Sequence, residues 1–238
     1  MASLFDDPMG RAVYDFHFHS VNQPIIVHSD GFDDDTITPS YLFRSYKEMP
    51  VLEKKAMSLC KGTILDIGAC AGAHSAYLQE KGFDVTALET SSFCCDVLKN
   101  REIKKVVHQD IFKFSGQTFD TILLLMNGTG IAGSLNGLDI LFHHLKTLLN
   151  PQGQILIDSS DLIYLFEEED GSALIDISAN NYYGELTFQT EYQTWVSPFF
   201  TWLYVDLNNL QASIEKNKLK LNKVYKGQHY DYLAQISL

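Results

Sequence analysis

The chain has 238 residues, 45% of them hydrophobic, and a formal charge of -12. The length fits one large domain or one domain with a sizeable insertion, and the apolar content excludes disorder as a general property. With 30 acidic against 18 basic residues and no long Lys/Arg cluster, nucleic acid is not expected as a partner, because its phosphates need cations to neutralise them.

Met1 to Gly10 carries Asp6 and Asp7, with neither a basic start nor an apolar block. No secretory leader is expected, and the cytoplasm is the default location. No apolar run approaches the roughly 18 residues that cross a bilayer; the longest, Thr121 to Met126, fits a buried strand. Residues 1–40 read as mixed and loop-rich. The acidic stretch Asp33 to Asp35 leads to Thr38-Pro39-Ser40, a helix cap. From Tyr41 to Cys60 a helical spacing broken at Pro50 predicts two short helices, so residues 1–60 are expected to form an N-terminal helical lid.

From 61 to 160 strands and helices alternate. Strands are predicted over 63–67, 84–89, 106–109, 119–126 and 154–158, and helices over 74–81, 92–100 and 138–149. This pitch implies right-handed βαβ units and a parallel sheet buried on both faces, with a ligand beyond the carboxyl ends of its strands. After Asp158 the pattern changes. Glu167 to Asp170 reads as a solvated acidic face. Residues 184–195 and 199–206 alternate apolar and polar, predicting an antiparallel β-hairpin inserted over 161–206. A helix over 207–216 and strands over 219–225 and 232–238 complete the core sheet. Cys60, Cys70, Cys94 and Cys95 have no metal-ligand spacing and read as reduced, buried thiols.

The residues that follow each strand carry the chemistry. In Leu65-Asp66-Ile67-Gly68-Ala69-Cys70-Ala71-Gly72-Ala73-His74 a strand ends in an acid, and a small-residue loop leads into a helix. Small residues let a ligand approach the backbone, and the helix start offers free amide donors. The Asp66 carboxylate and the Gly68 carbonyl suit an ammonium group. Glu89 ends the next strand, where a carboxylate can accept from both hydroxyls of a ribose. Asp110 ends the third strand, placed to accept from an adenine amino group while Ile111 packs on the ring. Met126-Asn127-Gly128 ends the fourth. Acids often end strands for structural reasons, so the signal is their order on one side of the sheet.

In this order the chain resembles the class I S-adenosylmethionine-dependent methyltransferases. Asp66-x-Gly68-x-Cys70-x-Gly72 looks like that family's acid-and-glycine loop, and Glu89, Asp110 and Phe119-Asp120-Thr121-Ile122-Leu123 match its later motifs. The resemblance covers about residues 60–160 and extends more loosely to the closing helix and strand pair. It implies an α/β, Rossmann-like fold with a seven-stranded, mostly parallel sheet, helices on both faces and an antiparallel last strand. It also implies S-adenosyl-L-methionine as cofactor, with Asp66, Gly68, Glu89 and Asp110 as contacts and Ala69, Gly72, Thr90, Ile111, Met126 and Asn127 beside them. Cys70 departs from the family's usual glycine and is expected to fit through a negative φ. The same loop argues against a nicotinamide dehydrogenase, because that three-glycine fingerprint is broken at Cys70 and Ala73.

Several other residues have two readings each. Arg44 is a candidate partner for the methionine carboxylate, or a surface arginine. Asn127 is a candidate to orient a nucleophile, or part of a strand-end turn. Trp195, Phe199, Phe200, Trp202 and Tyr204 crowd the hairpin. Trp195, Phe200 and Trp202 are candidates to line a substrate pocket, the alternative being packing of the inserted sheet. His74 is expected to touch cofactor or substrate, or to cap its helix. His17-Phe18-His19 has the form of a metallohydrolase pair without the further ligands of that barrel, and His143 and His144 diverge on a helix; no metal is expected.

The expected activity is transfer of a methyl group to a small-molecule substrate enclosed by residues 1–50 and 160–206, by a monomer or homodimer away from membranes. An activated methyl group demands alignment and desolvation more than a catalytic dyad, so no catalytic residue is named. The alternative is a non-catalytic cofactor sensor or interaction protein on the same fold.

Overall fold

The computed structural model describes residues 6–166 and 182–238; the acidic run at 167–170 lies outside the described residues. Helix α1 (Pro8–His19) comes first. The Asp7 carboxylate accepts from the Gly10 amide at 2.8 Å, and Pro8 opens the helix with no amide to satisfy. Strands β1 (Ile25–Ser29) and β2 (Asp35–Ile37) then pair antiparallel. These three elements replace the loop-rich segment expected over 1–40. Strand β1 is a short run whose other partner lies far along the chain, so its local sequence carries little strand signal. Helices α2 (Pro39–Leu42) and α3 (Val51–Leu59) are the two expected around the break at Pro50.

The alternating core follows as β3 (Thr63–Ile67), α4 (Ala73–Glu80), β4 (Asp84–Glu89), α5 (Ser92–Asn100), β5 (Lys105–His108), β6 (Phe119–Leu124), α6 (Leu135–Thr147) and β7 (Leu149–Ser160). Helix α6 starts earlier than the periodicity suggested because the Ser134 side chain accepts from the Gly137 amide at 3.0 Å. The inserted strands are β8 (Glu185–Tyr192), β9 (Trp195–Val196) and β10 (Phe200–Leu203). Helix α7 (Leu207–Lys216) and strands β11 (Lys220–Lys226) and β12 (Asp231–Ser237) close the chain.

The main sheet has seven strands in the order β11-β12-β7-β6-β3-β4-β5. Strands β5, β4, β3, β6 and β7 are parallel, and β12 runs antiparallel to both of its neighbours. Alternate side chains go to opposite faces. Leu65, Ile67, Ile122, Leu124, Ile155 and Ile157 pack with Phe142 and Leu210, whereas Ile64, Leu123 and Leu156 pack with Met49, Leu52, Ala56 and Leu78. Each such buried side chain contributes about 1.5–3 kcal/mol, so both faces are fixed and the register with them.

The inserted strands form more than a hairpin. With β1 and β2 they make a second sheet in the order β10-β8-β1-β2, with β9 paired to β8. Helix α1 joins the two layers. Its Val13 packs with Leu42, Ala71, Cys94 and Val97, and its Ala12 packs with Ile25 and Tyr192. The second sheet is thereby held as a roof over the carboxyl ends of β3, β4 and β6. Among the described residues no helix is long and apolar enough to cross a membrane.

Candidate active site

The strand order reverses on either side of β3, whose neighbours are β4 and β6. At such a switch point the loops above adjacent strands part and leave a crevice. A cavity of about 680 Å³ opens there. Its lining includes Asp66, Gly68, Ala69, Glu89, Thr90, Asp110, Ile111, Met126, Asn127 and Arg44, together with Phe200 and Trp202 from the roof. Two sequence candidates lie off it. Gly72 caps α4 at φ +80, where a β-carbon would stand 2.6 Å from Leu98 Cδ2. Trp195 packs edge-on to Phe93 at 5.6 Å and carries the Arg11 guanidinium 5.5 Å above its ring.

Asp66 is buried and accepts a hydrogen bond from Ser75 Oγ at 2.6 Å. Burial pushes its carboxyl up from the usual range, against the pull of His74 and of the Ser75 hydrogen bonds. Glu89 organises the glycine loop. Its Oε1 accepts from the amides of Thr90 at 2.7 Å and Ser91 at 2.9 Å, and its Oε2 accepts from the Cys70 amide at 2.8 Å. A carboxylate has about four acceptor positions. Oε1 also accepts from Thr90 Oγ1 at 3.4 Å, so the position that remains for a ligand hydroxyl is on Oε2, and a second hydroxyl would have to displace one of these donors. Asp110 accepts from the Phe112 amide at 3.0 Å and stays partly open to solvent.

Cys70 corrects one expectation. Its φ is +50, not negative. The left-handed conformation costs a non-glycine residue roughly 1–2 kcal/mol. It is held because the amide points at Glu89, and because the thiol meets Cys94, whose own thiol is pushed well up by that contact and by burial.

Arg44 is neither a surface residue nor an open anion receptor. Its Nε and Nη2 donate to Glu53 at 3.1 and 2.7 Å, and Nη1 donates to the Tyr41 carbonyl at 3.0 Å. Of its five N–H groups about two remain. Asn127, at φ +59, is likewise engaged. Ser159 Oγ donates to its Oδ1 at 3.1 Å, and its Nδ2 donates to the Leu203 carbonyl at 3.4 Å.

Residues without a sequence prediction line the cavity or support its walls. Asp158, two residues before the end of β7, accepts from the amides of Met126 at 3.1 Å and Gly128 at 2.9 Å. Burial lifts its carboxyl to about 6. It thus sets the loop that presents Met126 and Asn127, both with positive φ. As a strand-end acid it was legible by the rule that found Glu89. Glu53, a helix glutamate beside two lysines, offers no such signal. Phe188, Thr190 and Ser197 line the roof, and only tertiary pairing brings them there. Among the other histidines, His17 places Nε2 2.8 Å from Asn100 Oδ1 and stacks on Phe43, far from a ligand set.

Comparison with known proteins accords with this geometry. A family model described as a methyltransferase domain matches residues 65–157. A crystal structure of an S-adenosylmethionine-dependent methyltransferase from Bacteroides fragilis, in complex with S-adenosyl-L-homocysteine, is 43% identical, with a TM-score of 0.91 over 98% of this chain and 95% of that one. A methyltransferase of Clostridium acetobutylicum is 13% identical with a TM-score of 0.58, over 82% of this chain and 92% of that one. The CcbJ methyltransferase of Streptomyces caelestis is 14% identical with a TM-score of 0.60, over 81% and 94%. These last two share the fold alone. No curated protein matches the chain. The extent and identity of the Bacteroides match, on a cavity built at the strand ends, place this chain in the family of S-adenosylmethionine-dependent methyltransferases.

Proposed function

We propose that this methyltransferase passes the methyl group of S-adenosylmethionine to a small organic acceptor bound beneath the second sheet. The observation that carries the reading is the single cavity into which both Asp66, Glu89 and Asp110 and the roof residues Phe200 and Trp202 converge. The residues present fit the cofactor by their chemistry. Asp66 with the Gly68 carbonyl would hold the ammonium, Glu89 a ribose hydroxyl, and Asp110 the adenine amino group with Ile111 against the ring. Gly68 lines the cavity at φ +70, and a β-carbon there would meet nothing nearer than Ile131 at 3.8 Å; the backbone is open to a ligand.

When bound, the cofactor supplies a methyl carbon made electrophilic by its sulfonium. The chain's contribution is alignment and exclusion of water. Asp158 fixes the 126–128 loop, and Thr129 Oγ1 donates to the Leu203 carbonyl at 3.0 Å, tying that loop to the roof. The cavity volume suits a metabolite-sized acceptor, not a protein surface.

The test is a methyl-labelled donor offered with fractionated small-molecule and protein pools. Label in a low-mass fraction, with equimolar release of S-adenosylhomocysteine, is expected. Label confined to protein fractions refutes the small-molecule reading.

A further inference from the structure

We propose that the acceptor is an amine with an apolar body, and that carboxylates, phosphates and unactivated alcohols are rejected; this rests on the methyl-transfer reading above. The roof presents Phe188, Phe200, Trp202 and Tyr204 to the cavity, and its polar groups include the neutral hydroxyls of Thr190, Ser197 and Tyr204. Among the described lining residues the basic side chains are Arg44 and His74. Neither belongs to the roof, and each lies against the Glu53 carboxylate, at 2.7 and 2.9 Å. An anionic acceptor would leave water for a wall without a counter-charge. Asp6 and Asp7 line the same cavity, and the chain's charge is -12; both favour entry of a cation.

Proton chemistry narrows the nucleophile. An alcohol becomes reactive only as its proton is taken by a base in contact. The roof offers hydroxyls, and burial pushes that of Tyr204 up, so it is no phenolate. An amine that enters as ammonium first gives one proton to water, and the free base then carries its own lone pair. Its nitrogen bonds to the methyl carbon as the carbon–sulfur bond breaks. Sulfur keeps that electron pair, and the surplus proton on nitrogen passes to water. Phe200 and Trp202 stand 6.3 Å apart at 81°, giving the ammonium form aromatic faces before and after transfer.

The experiment titrates the full chain, loaded with S-adenosylhomocysteine, with phenethylamine, 3-phenylpropionate and 2-phenylethanol in a calorimeter. The amine is expected to bind at least ten-fold more tightly than the carboxylate. Trp202→Leu and, separately, Phe200→Leu are expected to remove most of that preference while leaving affinity for S-adenosylhomocysteine unchanged. With labelled donor and a panel of aryl- and alkylamines and their matching alcohols, label is expected on nitrogen. Carboxylate binding as tight as amine binding, no amine binding, or label on oxygen or on none of the amines overturns the assignment. Failure to bind S-adenosylhomocysteine itself would instead overturn the methyl-transfer reading.

Discussion

Arg44 and Glu53 meet as a two-pronged fork inside the protein, with side chains 2% and 6% exposed. His74 Nε2 lies 2.9 Å from the same carboxylate. Burial alone would push the Glu53 carboxyl up, but His74 and Arg44 outweigh it and hold it below its usual value. One carboxylate thereby ties the segment before α3 to the first turn of α4, beside the glycine loop. Glu53→Ala leaves a buried guanidinium unpaired and is expected to cost about 3–5 kcal/mol in urea denaturation. A loss below about 1 kcal/mol would show the fork to be dispensable.

Gly68 and Gly72 both sit at positive φ, at +70 and +80, but they face different neighbours. Alanine at 72 would press into Leu98, so Gly72→Ala is expected to lower stability by about 2 kcal/mol or more, with the conformational penalty included. Alanine at 68 meets open cavity. Gly68→Ala is expected to lose only about 1 kcal/mol of stability and to weaken S-adenosylhomocysteine binding disproportionately. Thermal denaturation together with calorimetry distinguishes the two; equal effects on both readouts for both variants would refute the contrast.

Asp66→Ala and Glu89→Ala are each expected to weaken cofactor binding by about 1–3 kcal/mol, the cost of leaving buried donors unmatched. Glu89→Ala also releases the amides of Cys70, Thr90 and Ser91, so it should lower stability as well. Unchanged affinity in calorimetric titration of either variant removes that residue from the cofactor site.

Asp158 gives a pH dependence with a defined sign. Its folded value of about 6 lies above the ordinary value of about 3.9 in an unfolded chain. Between these values the folded protein keeps a proton that the unfolded chain has released. Its contribution is therefore full below about pH 4 and lost as pH rises through about 6. Relative to Asp158→Asn, the unaltered protein is expected to gain about 2 kcal/mol between roughly pH 7 and pH 4. Denaturation of both proteins at both pH values checks it, and a constant or reversed difference refutes it.

The parallel half of the fold was legible because its signals are local. Strand β4 and helices α5 and α7 begin and end where spacing and caps put them. Asp66, Glu89 and Asp110 were legible for the same reason: each stands at or within two residues of the carboxyl end of a parallel strand, where the crevice opens. The roof was not. Ile25-Ile26-Val27 is too short to show alternation, and its register with residues 188–191 is a tertiary fact. Arg44 was found, but its partner was hidden: Glu53 lies nine residues on, across the break at Pro50, in a turn that reads as solvated.

The seam joining residues 26–29 to 188–191 has a consequence for biosynthesis. At the usual speed of translation the first of these strands leaves the ribosome roughly 10–30 s before its mate. During that interval its hydrogen-bonding edge is open to any neighbouring nascent polypeptide. The second sheet thus closes late, only once β8 has been made. A product terminated ahead of Glu185 would leave the β1 edge without that partner and would also lack β12, which completes the main sheet.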